Sequence, residues 1–267
     1  MKKMDSNIIR EIVRNQYAGA AGRPCGCRPD PEKSCCDSST GIADSMNHVM
    51  GYSEEELGSV AEGANLGLGC GNPTAIGNLK PGEIVLDLGS GGGFDCFLAA
   101  KKVGDKGRVI GVDMTPEMLA RARENAVKMG ATNVEFRLGE IEHLPVADGS
   151  VDVIISNCVI NLSPEKRKVF KDAFRVLKPG GRLAVSDVVA IAEIPDQLRE
   201  QPELLCGCIA GAERVDRIRD LLNEVGFEAV RIKFKSYSRK LVSEWYPGTG
   251  VEKYVSSADI EAVKPLR

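Results

Sequence analysis

"VLDLGSGGGFD", residues Val85–Asp95, is the stretch that decides the fold. A short apolar run reaches an acid, Asp87, crosses glycines at 89, 91, 92 and 93, and enters a helical pattern with no spacer. Glycines allow a tight turn and let a ligand lie close to the backbone. A dinucleotide-binding turn reads G-x-G-x-x-G, its third glycine serving close packing of helix on strand. Phe94 occupies that place here, which counts against a pyrophosphate cradle.

Outward from this turn, β-branched runs alternate with amphipathic helices. The strands expected are Ile84–Leu88, Arg108–Asp113, Val134–Leu138, Val151–Ser156 and Arg182–Val189, with two more in "FEAVRIKFK" and "VSSADIEAVKP". Helices are expected near Phe94–Val103, Pro116–Met129 and Pro164–Leu177, two of them opened by Thr115-Pro116 and Ser163-Pro164. "KPGG" at Lys178–Gly181 reads as a stop. Such alternation predicts an α/β fold, a mostly parallel seven-stranded sheet with helices on both faces. Ahead of it stand a helix near Ser6–Tyr17, a Gly/Pro/Cys-rich loop, a helix near Thr40–Met50 and the glycine-rich loop "GANLGLGCGNP". Helical stretches follow around Pro195–Leu205 and Arg214–Val225. The expected organisation is an N-terminal helical, Cys-rich segment (1–80), then a Rossmann-like domain (81–267) with a helical cap at about 190–226.

The pattern D-x-G-x-G-G-G resembles the first motif of class I S-adenosylmethionine methyltransferases. That resemblance implies S-adenosylmethionine as cofactor, with Gly89, Gly91 and Gly93 against its methionine and ribose and Asp87 holding its amino group. Asp113, ending the second strand beside Met114, offers a carboxylate to two ribose hydroxyls. Glu140 and Ile141 in "LGEIEHLP" fall where this superfamily places adenine contacts, and Asn157 ends the fourth strand. Acids or glycines at three successive strand ends make a chance coincidence improbable.

The totals bound the rest. A chain of 267 residues, 43% hydrophobic, can bury a large core. Its formal net charge of −3 argues against nucleic acid as a partner. "MKKMDSNIIR" has no apolar region behind its lysines, and the longest apolar run is too short for a membrane span. A cytoplasmic protein with no membrane partner is expected. Nine cysteines in such a chain need another explanation than structural disulfides. Cys25, Cys27, Cys35 and Cys36 crowd the N-terminal region, Cys206 and Cys208 form a pair, and Cys70, Cys96 and Cys158 stand singly.

"ISNCVINLSPEK" puts Cys158 where a methyl acceptor should be presented. Neither His48 nor His143 follows that strand, so an oxygen or nitrogen nucleophile would have no imidazole base beside it. Cys158 can be a small buried hydrophobe, a nucleophile, or one ligand of a soft centre shared with Cys70 and Cys208. Cys70 and Cys208 both have small neighbours and do not look like core. Structural zinc sites favour four donors with short C-x-x-C spacing, and the chain has no C-x-x-C. Three dispersed thiols suit trivalent arsenic, whose remaining lone pair is a nucleophile that needs no base.

"NLGLGCGNP", "LDLGSGGGFDC", "ISNCVINLSPEK", "SDVV", "GCIAGA" and the late "EWYPGTGVEKYVSSADIEAVKP" together resemble arsenite methyltransferases over nearly the whole chain. The resemblance implies methylation of arsenic(III), free or as a glutathione or other thiol conjugate, in arsenic detoxification. It assigns arsenic binding to Cys70, Cys158 and Cys208, and a disulfide relay to an N-terminal cysteine, Cys35 or Cys36, reset by a thioredoxin-like reductant. Cys25-Gly-Cys27 departs from the pattern. Two other readings are a carbon methyltransferase of a quinone- or sterol-like acceptor, and a metalloid-binding sensor without turnover.

Overall fold

The computed structural model describes residues 5–22, 48–61 and 63–266. Cys25, Cys27, Cys35, Cys36 and the expected helix near Thr40–Met50, apart from residues 48–50, lie outside them.

Seven strands form one sheet in the order β3-β2-β1-β4-β5-β7-β6. They are β1 (Ile84–Leu88), β2 (Arg108–Asp113), β3 (Val134–Leu138), β4 (Val151–Asn157), β5 (Leu177–Ala190), β6 (Glu228–Phe234) and β7 (Val255–Val263). β1 to β5 pair in parallel, and β7 runs antiparallel between β5 and β6. The strand order reverses at β1, with β2 on one side and β4 on the other. A crevice opens at the carboxyl ends of strands at such a switch point.

Both faces of the sheet are covered, so its central strands are apolar almost throughout. Helices α2 (Phe94–Val103) and α3 (Pro116–Met129) pack on one face, where Phe97 and Leu119 meet Val85, Val109 and Ile155. Helices α4 (Lys166–Val176) and α5 (Val215–Val225) cover the other, where Phe170 and Leu222 meet Leu86, Val112 and Ile154. Helix α1 (Ser6–Ala21), capped by Asp5 through the backbone N–H of Asn7, docks against α3 and the one-turn helix Pro202–Cys206. Helix α6 (Ser238–Trp245) precedes β7.

Several boundaries differ from expectation for local reasons. α4 starts at Lys166, because Ser163 instead makes a turn, its hydroxyl accepting from the N–H of Glu165 and donating to Glu142. α4 ends at Val176, just ahead of the glycines and proline of Lys178–Gly181. They lie inside β5, where the register against β4 shifts between Val151–Leu177 and Val153–Arg182. The stretch 195–205 is two single turns, Asp196–Arg199 and Pro202–Cys206, broken by a proline that lacks an N–H. The segment over the strand ends therefore spans roughly the first half of the expected cap. α5 instead belongs to the layer on the sheet, its Ile218, Leu221 and Leu222 buried there.

Phe170 is 1% exposed at the centre of that layer. Phe170→Ala is expected to destabilise the fold by about 3–5 kcal/mol in urea unfolding, whereas Val127→Ala, at 82% exposure, changes it by less than about 0.5 kcal/mol.

Candidate active site

A cavity of about 1100 Å³, counted with its open mouth, lies over the carboxyl ends of β1, β2 and β4. Its floor is the turn after β1. Gly89 takes a left-handed φ of 71°, and a Cβ there would collide with Val159, so both conformation and space demand glycine. Asp113 braces this turn, accepting from the N–H of Gly91 (2.9 Å) and the N–H of Thr115 (2.8 Å). Helix α1 forms the opposite wall through Arg10, Val13 and Tyr17. Arg10 is anchored there by Glu142 (3.1 Å) and Glu165 (2.6 Å).

Among the expected cofactor residues, Asp87, Gly89, Gly91, Asp113, Met114, Ile141 and Asn157 line the cavity. Gly93 stands behind it as the left-handed N-cap of α2, against Phe97 and Phe136. Glu140 faces Arg10 and Arg14 (3.3 Å), while Glu142 reaches the lining. Sequence reasoning missed Tyr17, Tyr52, Ser90, Asp95 and Thr115. Asp95 could have been suspected as an acid directly after the glycine turn, but nothing local marked Tyr52. Neither histidine lines the cavity.

Three carboxylates give the cavity its electrostatic character. Burial pushes Asp87 well above the usual carboxylate range, and the neighbouring Asp95 adds to the effect. Burial likewise raises Asp95 to about 6, against hydrogen bonds from Tyr52 and Asn157. Asp113 is raised by burial against backbone N–H donors. Ser90 Oγ is buried beside them with no hydrogen-bond partner among the described residues. Concentrated acid with an orphaned hydroxyl suits a polar, cationic ligand, and a sulfonium-bearing amino acid conjugated to a nucleoside fits that description.

The thiols gather next to this cavity. Cys70 and Cys158 are joined as a disulfide with Cα atoms 5.9 Å apart, across 88 residues of sequence. Cys208 points its Sγ at the carbonyl oxygen of Cys158 (2.6 Å). All three lie in one apolar cluster with Val13, Leu162, Leu204 and Tyr246, so Cys70 and Cys208 are core residues despite their small neighbours. Cys158 (φ 56°) and Cys208 (φ 64°) both adopt the left-handed conformation that non-glycine residues avoid. Such strain, about 1–3 kcal/mol each, is kept where surrounding structure fixes a functional geometry.

The local causes are visible. Gly69 and Gly71 flank Cys70 because a Cβ on the first would strike Asn157 and on the second Ser186. Cys158 is set by its N–H donating to the carbonyl of Ser186 (2.8 Å). A carboxylate oxygen of Asp187 lies within 4.8 Å of the Cys70 and Cys158 sulfurs. Asp187 is buried and pushed up to about 6, against the N–H of Val188 and nearby Lys166. Burial, then Asp187, raises the Cys208 thiol well above its ordinary value, so it stays protonated at neutral pH. A protonated, buried thiol is a poor free nucleophile. Cys96 donates to Asp87 (3.2 Å), and Cys206 is half-buried.

The sheet order and the acid-lined cavity at its switch point define a class I S-adenosylmethionine-dependent methyltransferase fold, and residues 79–226 match the family described as a methyltransferase domain. Similar proteins narrow this. An arsenite methyltransferase of Halobacterium salinarum is 54% identical over 98% of this chain and 68% of its own length. Another, from Aquipseudomonas alcaligenes, is 47% identical over 84% of this chain and 63% of its own. The crystal structure of an arsenic(III) S-adenosylmethionine methyltransferase from Chlamydomonas reinhardtii superimposes with a TM-score of 0.60 at 34% identity, covering 84% of this chain and 73% of that one. The chain thus belongs to the arsenite methyltransferase family, and it spans about two thirds of the length of those two curated relatives. No helix among the described residues is long and apolar enough to cross a membrane.

Cofactor affinity should depend on pH in a stated direction. The cavity carboxylates hold protons more tightly than free ones, and a bound cation lowers their pKa, so binding expels protons. Affinity for S-adenosylmethionine is therefore expected to rise as pH climbs through about 6, where Asp95 ionises. Asp95→Asn should flatten that rise; calorimetric titration across pH measures both.

Proposed function

We propose that this protein methylates trivalent arsenic with S-adenosylmethionine, holding the arsenic on Cys70, Cys158 and Cys208. The observation that carries this reading is the meeting of three cysteines from separate stretches of sequence in one buried cluster, with Cys158 also lining the cofactor cavity.

S-adenosylmethionine, when bound, supplies an electrophilic methyl group on a sulfonium. Asp87, Ser90, Asp113, Met114, Ile141 and Asn157 would hold it. The acidic floor favours the cationic form over the neutral product, which aids release once the methyl has gone. The cysteines need not ionise in advance. Each thiol proton leaves with one hydroxide of arsenous acid as water, so three S–H and three As–OH bonds become three As–S bonds and three waters. This chemistry agrees with a Cys208 held in its protonated form. Val13, Leu162, Leu204 and Tyr246 keep the cluster dry, leaving the arsenic lone pair unsolvated and reactive.

Arsenic that has gained a methyl cation is formally pentavalent. Two of its sulfur ligands return it to the trivalent state by leaving together as a disulfide: two As–S bonds break, one S–S bond forms, and one electron pair stays on arsenic. The pairing of Cys70 with Cys158 supports the view that site sulfurs themselves can take that part. Cys35 or Cys36 would pass the oxidation outward, and a thioredoxin-like dithiol would reset the chain.

Cys158→Ser and Cys208→Ser are each expected to cut arsenite methylation by about 100-fold or more while cofactor binding persists. Incubation with arsenite, S-adenosylmethionine and a dithiol, followed by arsenic speciation, is the test. Full turnover in both variants would eliminate the three-thiol site.

A further inference from the structure

Between the cofactor cavity and the thiols lies a polar group, part of it in the cofactor's lining, whose hydrogen bonds run on to the Cys70 loop. Asn157 Oδ1 accepts from the N–H of Cys70 (2.9 Å), and Nδ2 donates to the carbonyl of Gly71 (2.8 Å). The Cys70 loop is thereby gripped from both sides by one amide. The same Nδ2 is 3.1 Å from Asp95 Oδ2 and 3.1 Å from Tyr52 Oη. Tyr52, 4% exposed with its ring edge-on to Phe94, donates to Asp95 Oδ1 (2.7 Å) and sits 3.0 Å from the Gly71 carbonyl. Tyr52, Asp95 and Asn157 all line the cofactor cavity, and Asn157 is followed directly by Cys158.

Counting protons shows why this group is responsive. The Asn157 amide and the Tyr52 hydroxyl offer three N–H or O–H protons. An ionised Asp95 takes one from Tyr52 and one from Asn157, and the remaining amide proton goes to Gly71. Every donor is then used and the Cys70 loop is held. A neutral Asp95 has one acceptor fewer and a proton of its own to place. That proton goes to Tyr52 Oη, and the Tyr52 hydroxyl turns to the Gly71 carbonyl 3.0 Å away, so the hydrogen bonds on the Cys70 loop change with the charge of Asp95. The charge state of Asp95 answers to what occupies the cavity, because a cation beside it favours the carboxylate.

We infer that Tyr52, Asp95 and Asn157 are positioning residues that tie occupation of the cofactor cavity to the placing of Cys70, so that cofactor and arsenic bind cooperatively. This rests on Cys70 being an arsenic ligand, as proposed above. Linkage requires the effect to be mutual: whatever factor the cofactor adds to arsenic affinity, arsenic adds to cofactor affinity.

The test is calorimetric titration of the reduced full-length protein with arsenite, with and without S-adenosylhomocysteine, which keeps the amino group and has no methyl to transfer. In the wild type the homocysteine analogue is expected to tighten arsenite binding by about fivefold or more, with the same factor in the reverse titration. Tyr52→Phe and Asp95→Asn should bring that factor close to one while thermal melting shows a folded protein. Wild-type coupling in both folded variants, or none in the wild type, would overturn the inference. Cys70→Ser separates the two levels. Undiminished arsenite binding in that variant refutes the three-thiol site and the inference together. Loss of arsenite there, with coupling intact in Tyr52→Phe, refutes the inference alone.

Discussion

At the carboxyl end of β4 two consecutive residues act in opposite directions, and the site depends on the pair. Asn157 turns its amide to the Cys70 loop, while Cys158 enters a left-handed turn that brings its sulfur to the same place. The turn is fixed by the Ser186 carbonyl on β5, and Ser186 also leaves room only for glycine at position 71. Neighbouring parallel strands thus set two sulfurs from opposite ends of the fold. Because β4 is buried in the sheet, the placement inherits the rigidity of the core rather than the looseness of a surface loop.

The cofactor cavity obeys a different constraint. Burial disfavours the ionisation of all three carboxylates, Asp95 and Asp113 add to the effect at Asp87, and hydrogen bonds to Asp95 and Asp113 offset part of it. That arrangement is unfavourable for an empty cavity and favourable for one holding positive charge. Functional sites often carry this kind of local frustration. Here it lies next to an apolar cluster that holds Cys70, Cys158 and Cys208.

Much of this was legible in the sequence. All seven strands overlap the β-branched runs, and the central ones, β1, β4 and β5, are the plainest because parallel strands covered on both faces read as continuous apolar segments. The glycine turn and the strand-end residues Asp87 and Asp113 were equally plain. The reading failed where tertiary contact overrides local pattern. Cys70 and Cys208 have neighbours too small to look like core, yet those glycines are small because other chain segments press on them. α5 was placed in the cap because it follows directly on a helical stretch, and only its packing against α4 and β6 assigns it to the sheet layer. Tyr52 was invisible, since nothing in "GYSEEE" announces a partner 43 residues away.

The wide spacing of the thiols also bears on how the chain matures. Cys70 meets Cys158 across 88 residues, and Cys208 reaches Cys158 across a further 50. Contacts that distant cost loop-closure entropy before they form and so slow folding. An unfinished polypeptide emerging from a ribosome consequently presents these sulfhydryls scattered rather than gathered. The cluster is complete only when the segment bearing Cys208 has reached Cys158.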